Sequence, residues 1–160
     1  MKSIRIETRR LYITPQSIQE IKALRDKETD HEMKKAYSEM LDIMLKLNGC
    51  EEWGSDWKIS SKTGAIVGGI GFKGAPDAEG MVEIGYGIDE AYRQNGYATE
   101  ALSGMVKWAL QQDGVEYISA QTEPDNKISQ NVLLKNGFYR DGNGEEGPLF
   151  KIGRCQSRLS

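Results

Sequence analysis

Glu83-Ile84-Gly85-Tyr86-Gly87-Ile88-Asp89-Glu90-Ala91-Tyr92-Arg93-Gln94-Asn95-Gly96-Tyr97-Ala98-Thr99-Glu100-Ala101-Leu102 decides the fold. Its first part closes a strand running from Met81 to Ile88. A polar, glycine-containing loop follows, and a long amphipathic helix then begins. That helix is expected from about Tyr97 to Gln112, with Ala98, Ala101, Leu102, Met105, Val106 and Ala109 on its inner face. Gly114 ends it, and Val115-Glu116-Tyr117-Ile118-Ser119-Ala120-Gln121-Thr122 reads as the next strand. Strand, helix and strand in such close succession form a βαβ unit, which is right-handed and places its two strands parallel.

Outward from this unit the pattern changes. Upstream, Ile4 to Thr14 alternates as a first strand stopped by Pro15, and Ser17 to Lys27 has helical spacing with Ser17 as a possible cap. A second amphipathic helix is expected from His31 to Leu47, closed by Gly49. Trp57–Ser61 and Ala65–Phe72 flank Lys62-Thr63-Gly64 and read as a hairpin. The strands before the switch are therefore consecutive and antiparallel. Downstream, Pro124-Asp125-Asn126 starts a helix through Lys135. Gly137–Arg140 and Leu149–Ile152 are two late strands about a glycine-rich turn. The class is α/β in the broad sense (α+β): a mixed, mostly antiparallel sheet with one central parallel βαβ unit.

Two glycine patterns compete for a phosphate-binding role. Gly69-Ile70-Gly71-Phe72-Lys73-Gly74 matches G-x-G-x-x-G by letter, but a dinucleotide site needs a helix to begin at the last glycine. Ala75-Pro76-Asp77-Ala78-Glu79-Gly80 cannot supply one, so these glycines read as bulge or close-packing positions in a strand. Arg93-Gln94-Asn95-Gly96-Tyr97-Ala98 has the context the first pattern lacks. The first turn of a helix presents unpaired N–H groups and the positive end of its dipole. Gly96 and Ala98 let the backbone approach a diphosphate, and Arg93 can add a cation. An ordinary turn and helix start would share much of this pattern.

Glu83–Asp89 followed by Tyr92–Ala101 resembles motif A of the GNAT superfamily of N-acetyltransferases, in particular the subgroup that includes the ribosomal-protein N-terminal acetyltransferases. Arg93, Gly96 and Ala98 satisfy its loop pattern Q/R-x-x-G-x-G/A. Asn126-Lys127-Ile128-Ser129, Leu133 and Lys135-Asn136-Gly137-Phe138 resemble motif B, and Glu7-Thr8-Arg9-Arg10-Leu11 resembles the family's first strand. The resemblance implies a GNAT fold over residues 1–153 with a C-terminal tail, 154–160, and a coenzyme lying where the family's strands four and five splay apart. Here those are Met81–Ile88 and Val115–Thr122. The donor implied is acetyl-coenzyme A, used as cosubstrate with no metal. Its contacts would be Arg93, Gln94, Asn95, Gly96, Tyr97, Ala98 and Thr99, with the backbone near Gly87 and Ile88 along the pantetheine arm. Asn126 would touch the coenzyme or simply cap its helix.

The acceptor implied is a primary amine, a protein N-terminus or a small molecule, attacking the thioester directly in a ternary complex. Such an amine must first lose a proton. Glu83 is the candidate base, with burial among apolar neighbours expected to raise its pKa; a structural carboxylate is the other reading. Many relatives carry a tyrosine at the position of Leu133, so the usual acid is missing, and Ser129 stands as a substitute donor or a packing residue. The missing tyrosine also leaves open a coenzyme-binding sensor without turnover.

The whole sequence limits the other classes. Of 160 residues 38% are hydrophobic and 28% charged, which is the balance of a folded globular chain. The net charge of -3 argues against a nucleic-acid partner. No stretch is apolar enough for a membrane span, and the charged N-terminus lacks a signal-peptide core. A cytoplasmic location is the expectation. Cys50 and Cys155 are expected as free thiols, and His31 is the one histidine. Relatives often pair, so a homodimer is among the partners the resemblance implies.

Overall fold

A computed structural model describes residues 3–154; the tail expected at 154–160 lies outside them except for Arg154, and so does Cys155. Eight strands form one sheet: β1 (Ile6–Glu7), β2 (Leu11–Pro15), β3 (Asp56–Ser61), β4 (Ile66–Phe72), β5 (Met81–Ile88), β6 (Tyr117–Gln121), β7 (Tyr139–Asn143) and β8 (Pro148–Gly153). Their order is β1-β2-β3-β4-β5-β6-β8-β7, with β5 and β6 the parallel pair and every other neighbour antiparallel. The helices are α1 (Ile18–Lys27), α2 (His31–Lys46), α3 (Tyr97–Leu110) and α4 (Lys127–Lys135). The expected mixed sheet with a central βαβ unit is present.

One expectation fails at the N-terminus. The run from Ile4 to Thr14 is not a single strand: it turns at Thr8–Arg10 and folds back, pairing Ile6 with Ile13. The alternation that suggested one strand is shared by both halves of this hairpin, so period alone could not separate them. The turn is pinned by Glu100 of α3, which accepts from Thr8 Oγ1, from the Arg10 backbone N–H at 2.8 Å and from Arg10 Nε at 2.7 Å.

The core lies between one face of the sheet and α3. Ala101, Leu102, Met105, Val106 and Ala109 join Leu11, Ile13, Ile59, Ile70 and Ile84 in one buried cluster. Trp53, Trp57, Phe72 and Trp108 add an aromatic group with ring centroids 4.8–6.4 Å apart. Trp57 is fully buried and its indole N–H donates to Glu52 O at 2.8 Å, which satisfies its polar atom. The α1–α2 pair packs around its own cluster of Ile21, Leu41 and Met44. Ser17 and Glu20 form a capping box at the start of α1.

Glycines occupy the other face of the sheet centre. Gly69 pairs with Gly87 and Gly71 with Gly85, so four side-chain positions on that face are vacant. A Cβ on Gly71 would lie 2.6 Å from Ser55 O, and one on Gly68 would collide with Gly87 O. Gly69 and Gly71 of the false dinucleotide motif are thus close-packing positions in β4, while Gly74 lies beyond the strand with φ 143° and open space about it.

Candidate active site

Two strands that begin as neighbours and then part create the opening. Pairing between β5 and β6 is confined to Met81 with Tyr117, Val82 with Ile118 and Glu83 with Ser119. Beyond Glu83, β5 runs on to Ile88 still paired with β4, while β6 follows β8. Lys73 N–H donates to Glu83 O and Asp89 N–H to Val67 O. In an antiparallel ladder this turns the peptides of Gly85 and Gly87 toward β4 and those of Tyr86 and Ile88 toward the gap. Of Gly87 and Ile88, the two expected beside a pantetheine arm, the register leaves Ile88 facing the gap, together with Tyr86. Of these groups, Ile88 O is already taken by Arg93 Nε at 2.9 Å.

At the end of β5 the chain makes a 3₁₀ turn, Glu90–Tyr92, and enters α3. Gln94 has φ 67° and Gly96 φ 79°, both left-handed, and Gly96 is the N-cap with no side-chain capping bond. The N–H groups of Tyr97, Ala98 and Thr99 therefore lack intrahelical acceptors and point out of the helix start. An uncapped helix start of this kind suits an anion, and a Cβ at Gly96 would meet Arg10 Nη2 at 3.4 Å. Asn95 serves the loop itself, donating from Nδ2 to Tyr92 O at 3.0 Å and Arg93 O at 3.2 Å.

Arg10 was not singled out by sequence reasoning. Besides its bonds to Glu100, it donates from Nη1 to Asn95 O at 2.9 Å and lies 4.6 Å above the Tyr97 ring. The β1–β2 turn thereby holds the anion loop in place. Burial works against the charged form of Glu100, but the Thr8 hydroxyl and Arg10 outweigh it and the carboxyl titrates below its usual range.

Across the gap, α4 begins at Asn126, whose Oδ1 accepts from Ser129 N–H at 3.1 Å. Asn126 is thus an N-cap, one of its two expected roles. Ser129 Oγ lies 2.9 Å from the Tyr86 hydroxyl, which also donates to Ser129 O at 3.2 Å. Burial pushes the Tyr86 phenol up and the Ser129 bond offsets part of the shift. Leu133 is fully buried in the core. A tyrosine was sought at the helix position of Leu133, yet the structure supplies one from the facing strand. Only the alternation of β5, which turns Tyr86 to the α3 face with Ile84, could have signalled it.

Glu83 stands at the last paired position before the gap. The apolar burial expected for it is absent: Lys73 Nζ is 2.9 Å away, Gln121 Nε2 donates to it at 3.2 Å, and its side chain is 27% exposed. Burial disfavours the Lys73 ammonium, but the bonds and charges of Glu83 and then Glu146 outweigh it and raise its pKa. The carboxylate of Glu83 is therefore already compensated.

An open cleft of about 550 Å³ runs along the glycine face beside the gap, lined by Asp56, Gly69, Gly85, Gly87, Asp89 and Arg93 among others. Asp56, which sequence reasoning passed over, is its one largely buried carboxyl. Desolvation alone raises its pKa from 3.8 to about 6. Met44, Trp53 and Trp57 lie in the cores and His31 is exposed. Glu146 reaches Lys73 at 3.6 Å. No group of three or more His, Cys, Asp or Glu is placed to hold a metal among the described residues, and no helix there is long and apolar enough to cross a membrane.

The acetyltransferase (GNAT) domain family matches residues 7–139. An uncharacterized N-acetyltransferase, YjdG, of Bacillus subtilis (strain 168) is 43% identical over 98 residues, 61% of this chain and 58% of its own length. The ribosomal-protein-serine acetyltransferase of Escherichia coli (strain K12) is 28% identical over 81 residues, 51% of this chain and 45% of its own. The match thus spans about half the length of these curated relatives. Among solved structures, the ribosomal-protein-S5-alanine acetyltransferase from Vibrio fischeri superposes with a TM-score of 0.73 at 15% identity, covering 94% of this chain and 97% of that one. The ribosomal L7/L12 alpha-N-protein acetyltransferase RimL in complex with coenzyme A gives 0.73 at 14% identity, covering 94% and 98%. At these identities the structural likeness speaks for the fold.

Proposed function

This chain belongs to the GNAT acetyltransferase family, and on that premise we propose that it transfers acetyl from acetyl-coenzyme A to a primary amine by direct attack in a ternary complex. One observation carries the reading: the uncapped start of α3 at Gly96 opens beside a strand gap whose inner backbone, apart from Ile88 O, is left for a ligand. A diphosphate fits the first site and an extended amide-bearing arm fits the second. Arg93, Gln94, Asn95, Gly96, Tyr97, Ala98 and Thr99 form the phosphate cradle, Tyr86 and Ile88 offer the strand edge, and Asn126 orders the facing helix. When bound, the coenzyme supplies the activated acyl group.

The chain's own part is to hold that group in the gap and manage two protons. Glu83 and Asp56 are the carboxylates on the acceptor side of β5. The hydroxyls of Ser129 and Tyr86 are the donors available to the departing sulfur. The raised pKa of Tyr86 keeps its phenol protonated at neutral pH, as a donor requires. The relatives named for ribosomal proteins make a protein N-terminus one acceptor worth testing, beside polyamine-like and aminoglycoside amines.

Calorimetry with acetyl-coenzyme A, then thiol release across a panel of such amines, tests the reading. Micromolar binding with amine-dependent release is expected. Tight binding with no release from any amine would favour a coenzyme sensor, the reading that Leu133 at the family's tyrosine position keeps in play.

A further inference from the structure

Asp56 begins β3, two strands from the gap, yet its carboxyl does not stay over its own strand. A Cβ built on Gly69 would lie 2.7 Å from Asp56 Oδ1 and 2.8 Å from Oδ2, so the carboxyl lies on the bare backbone of β4. Gly69 pairs with Gly87. A single strand spacing of about 4.8 Å then separates the carboxyl's seat from the strand that edges the gap. No side chain stands between, because Gly69, Gly85 and Gly87 floor the cleft.

The anion cradle at Gly96 and the core of α3 lie on the opposite side of the sheet. Arg93, beside that cradle, also lines the Asp56 cleft, so cradle and cleft adjoin at the end of β5, where β5 and β6 have parted. An acceptor entering from the glycine face meets a group held in that cradle there. Granting the acetyltransferase reading, on which this rests, we infer that Asp56 is the residue that binds the acceptor's ammonium in this cleft and takes its proton. The step balances: the ammonium proton passes to the Asp56 carboxylate, and the freed nitrogen lone pair forms the C–N bond as the C–S bond breaks. The sulfur leaves with the bonding pair and takes a proton from the Ser129–Tyr86 hydroxyl pair, the second proton shed by nitrogen replaces it there, and Asp56 later returns its own to solvent.

The surroundings suit this better at Asp56 than at Glu83. Glu83 is held by Lys73 and Gln121. Around Asp56 the nearest side-chain donor is Gln16 Nε2, at 3.5 Å from Oδ2. The groups facing it are few. Tyr37 of α2 is raised first by its own burial and then by the charges of Asp56 and Glu28. Lys58 shares its face of β3 two residues on, and Asp89, Glu90 and Arg93 rim the far end of the cleft. A base with a pKa of about 6 is ionised at neutral pH and still accepts a proton from an ammonium held against it.

The test compares wild type, Asp56→Asn and Glu83→Gln, with putrescine, a peptide bearing a free N-terminus and an aminoglycoside as acceptors. Asp56→Asn should bind acetyl-coenzyme A with a Kd within twofold of wild type, which also certifies its fold, while kcat/KM falls about 100-fold. The acidic limb of the wild-type pH–rate profile, near pH 6, should vanish in Asp56→Asn and persist in Glu83→Gln. Formate should restore part of the rate to Asp56→Ala. Wild-type silence toward every amine would overturn the transferase reading itself. An active wild type with an Asp56→Asn variant that keeps both its rate and its acidic limb would overturn the Asp56 assignment alone.

Discussion

Replacing Asp56 with asparagine should stabilise the fold at neutral pH, and the size of the effect follows from the structure. The carboxyl is moved from 3.8 to about 6 by burial, with no charged neighbour contributing. Each tenfold change in proton affinity is worth about 1.4 kcal/mol, so carrying the ionised form into the folded protein costs about 3 kcal/mol. Its sign is that of a raised acid. Between pH 4 and 6 the folded state holds a proton that the unfolded chain has released, so this group's contribution to stability falls as pH rises and levels off above about 6. Glu100 runs the other way, because its lowered pKa adds stability as pH rises. The difference between variant and wild type cancels that opposing slope. Urea unfolding of both proteins at pH 4, 5, 6 and 7 should show an Asp56→Asn advantage that grows across the series to about 3 kcal/mol at pH 7. Near neutral pH that is a Tm gain of about 8 °C for a domain of this size. An advantage constant with pH, or one that shrinks as pH rises, would refute the claim that the ionised carboxyl is buried at a cost.

Two further outcomes concern the walls of the gap. Glu100→Gln removes the charge that fixes Arg10 and, through it, Asn95 of the anion loop. With Arg10 half-exposed the loss is about 1 kcal/mol, so the calorimetric Kd for acetyl-coenzyme A should rise about fivefold with kcat nearly unchanged. A Kd equal to wild type would show that the turn does not support the loop. Tyr86→Phe and Ser129→Ala should each lower kcat about tenfold while leaving coenzyme affinity within twofold, and the double variant should fall no further than either single one. Wild-type kcat in both single variants would reduce this hydroxyl pair to packing.

The central βαβ unit, the helix starts and the glycine turn into α3 were legible because each depends on neighbours in sequence. Asn126 caps its helix three residues on, and Gly96 acts on the turn it opens. What escaped depends on strand register and on contacts across the sheet. Glu83 looked apolar in its surroundings because Val82 and Ile84 flank it, but in a strand those side chains face the other way and its true neighbours are Lys73 and Gln121. Tyr86 is seen to reach Ser129 only once β5 and α4 are known to face each other. Arg10 meets Asn95 eighty-five residues away. Asp56, a lone acid at a strand start, carries no local signal at all.

The same glycines that imitated a nucleotide motif explain why Asp56 can matter. A sheet whose two faces were both clothed would bury Asp56 under side chains or push it out to solvent. With Gly69, Gly71, Gly85 and Gly87 on one face and Ile70, Phe72 and Ile84 on the other, β4 and β5 keep a solid core beneath a bare floor. Backbone strain does not explain these four glycines, since their φ values lie outside the left-handed region that singles out others such as Gly64 and Gly96. Space does: a side chain at Gly69 would displace the Asp56 carboxyl, and one at Gly71 would strike Ser55 O. Gly85 and Gly87 have open room above them, with nothing within 4 Å of a Cβ at Gly87 and only the Lys73 Cε at 3.8 Å from one at Gly85. That room is the cleft, and a residue as small as alanine at Gly87 would fit the fold while narrowing the path from Asp56 to the gap.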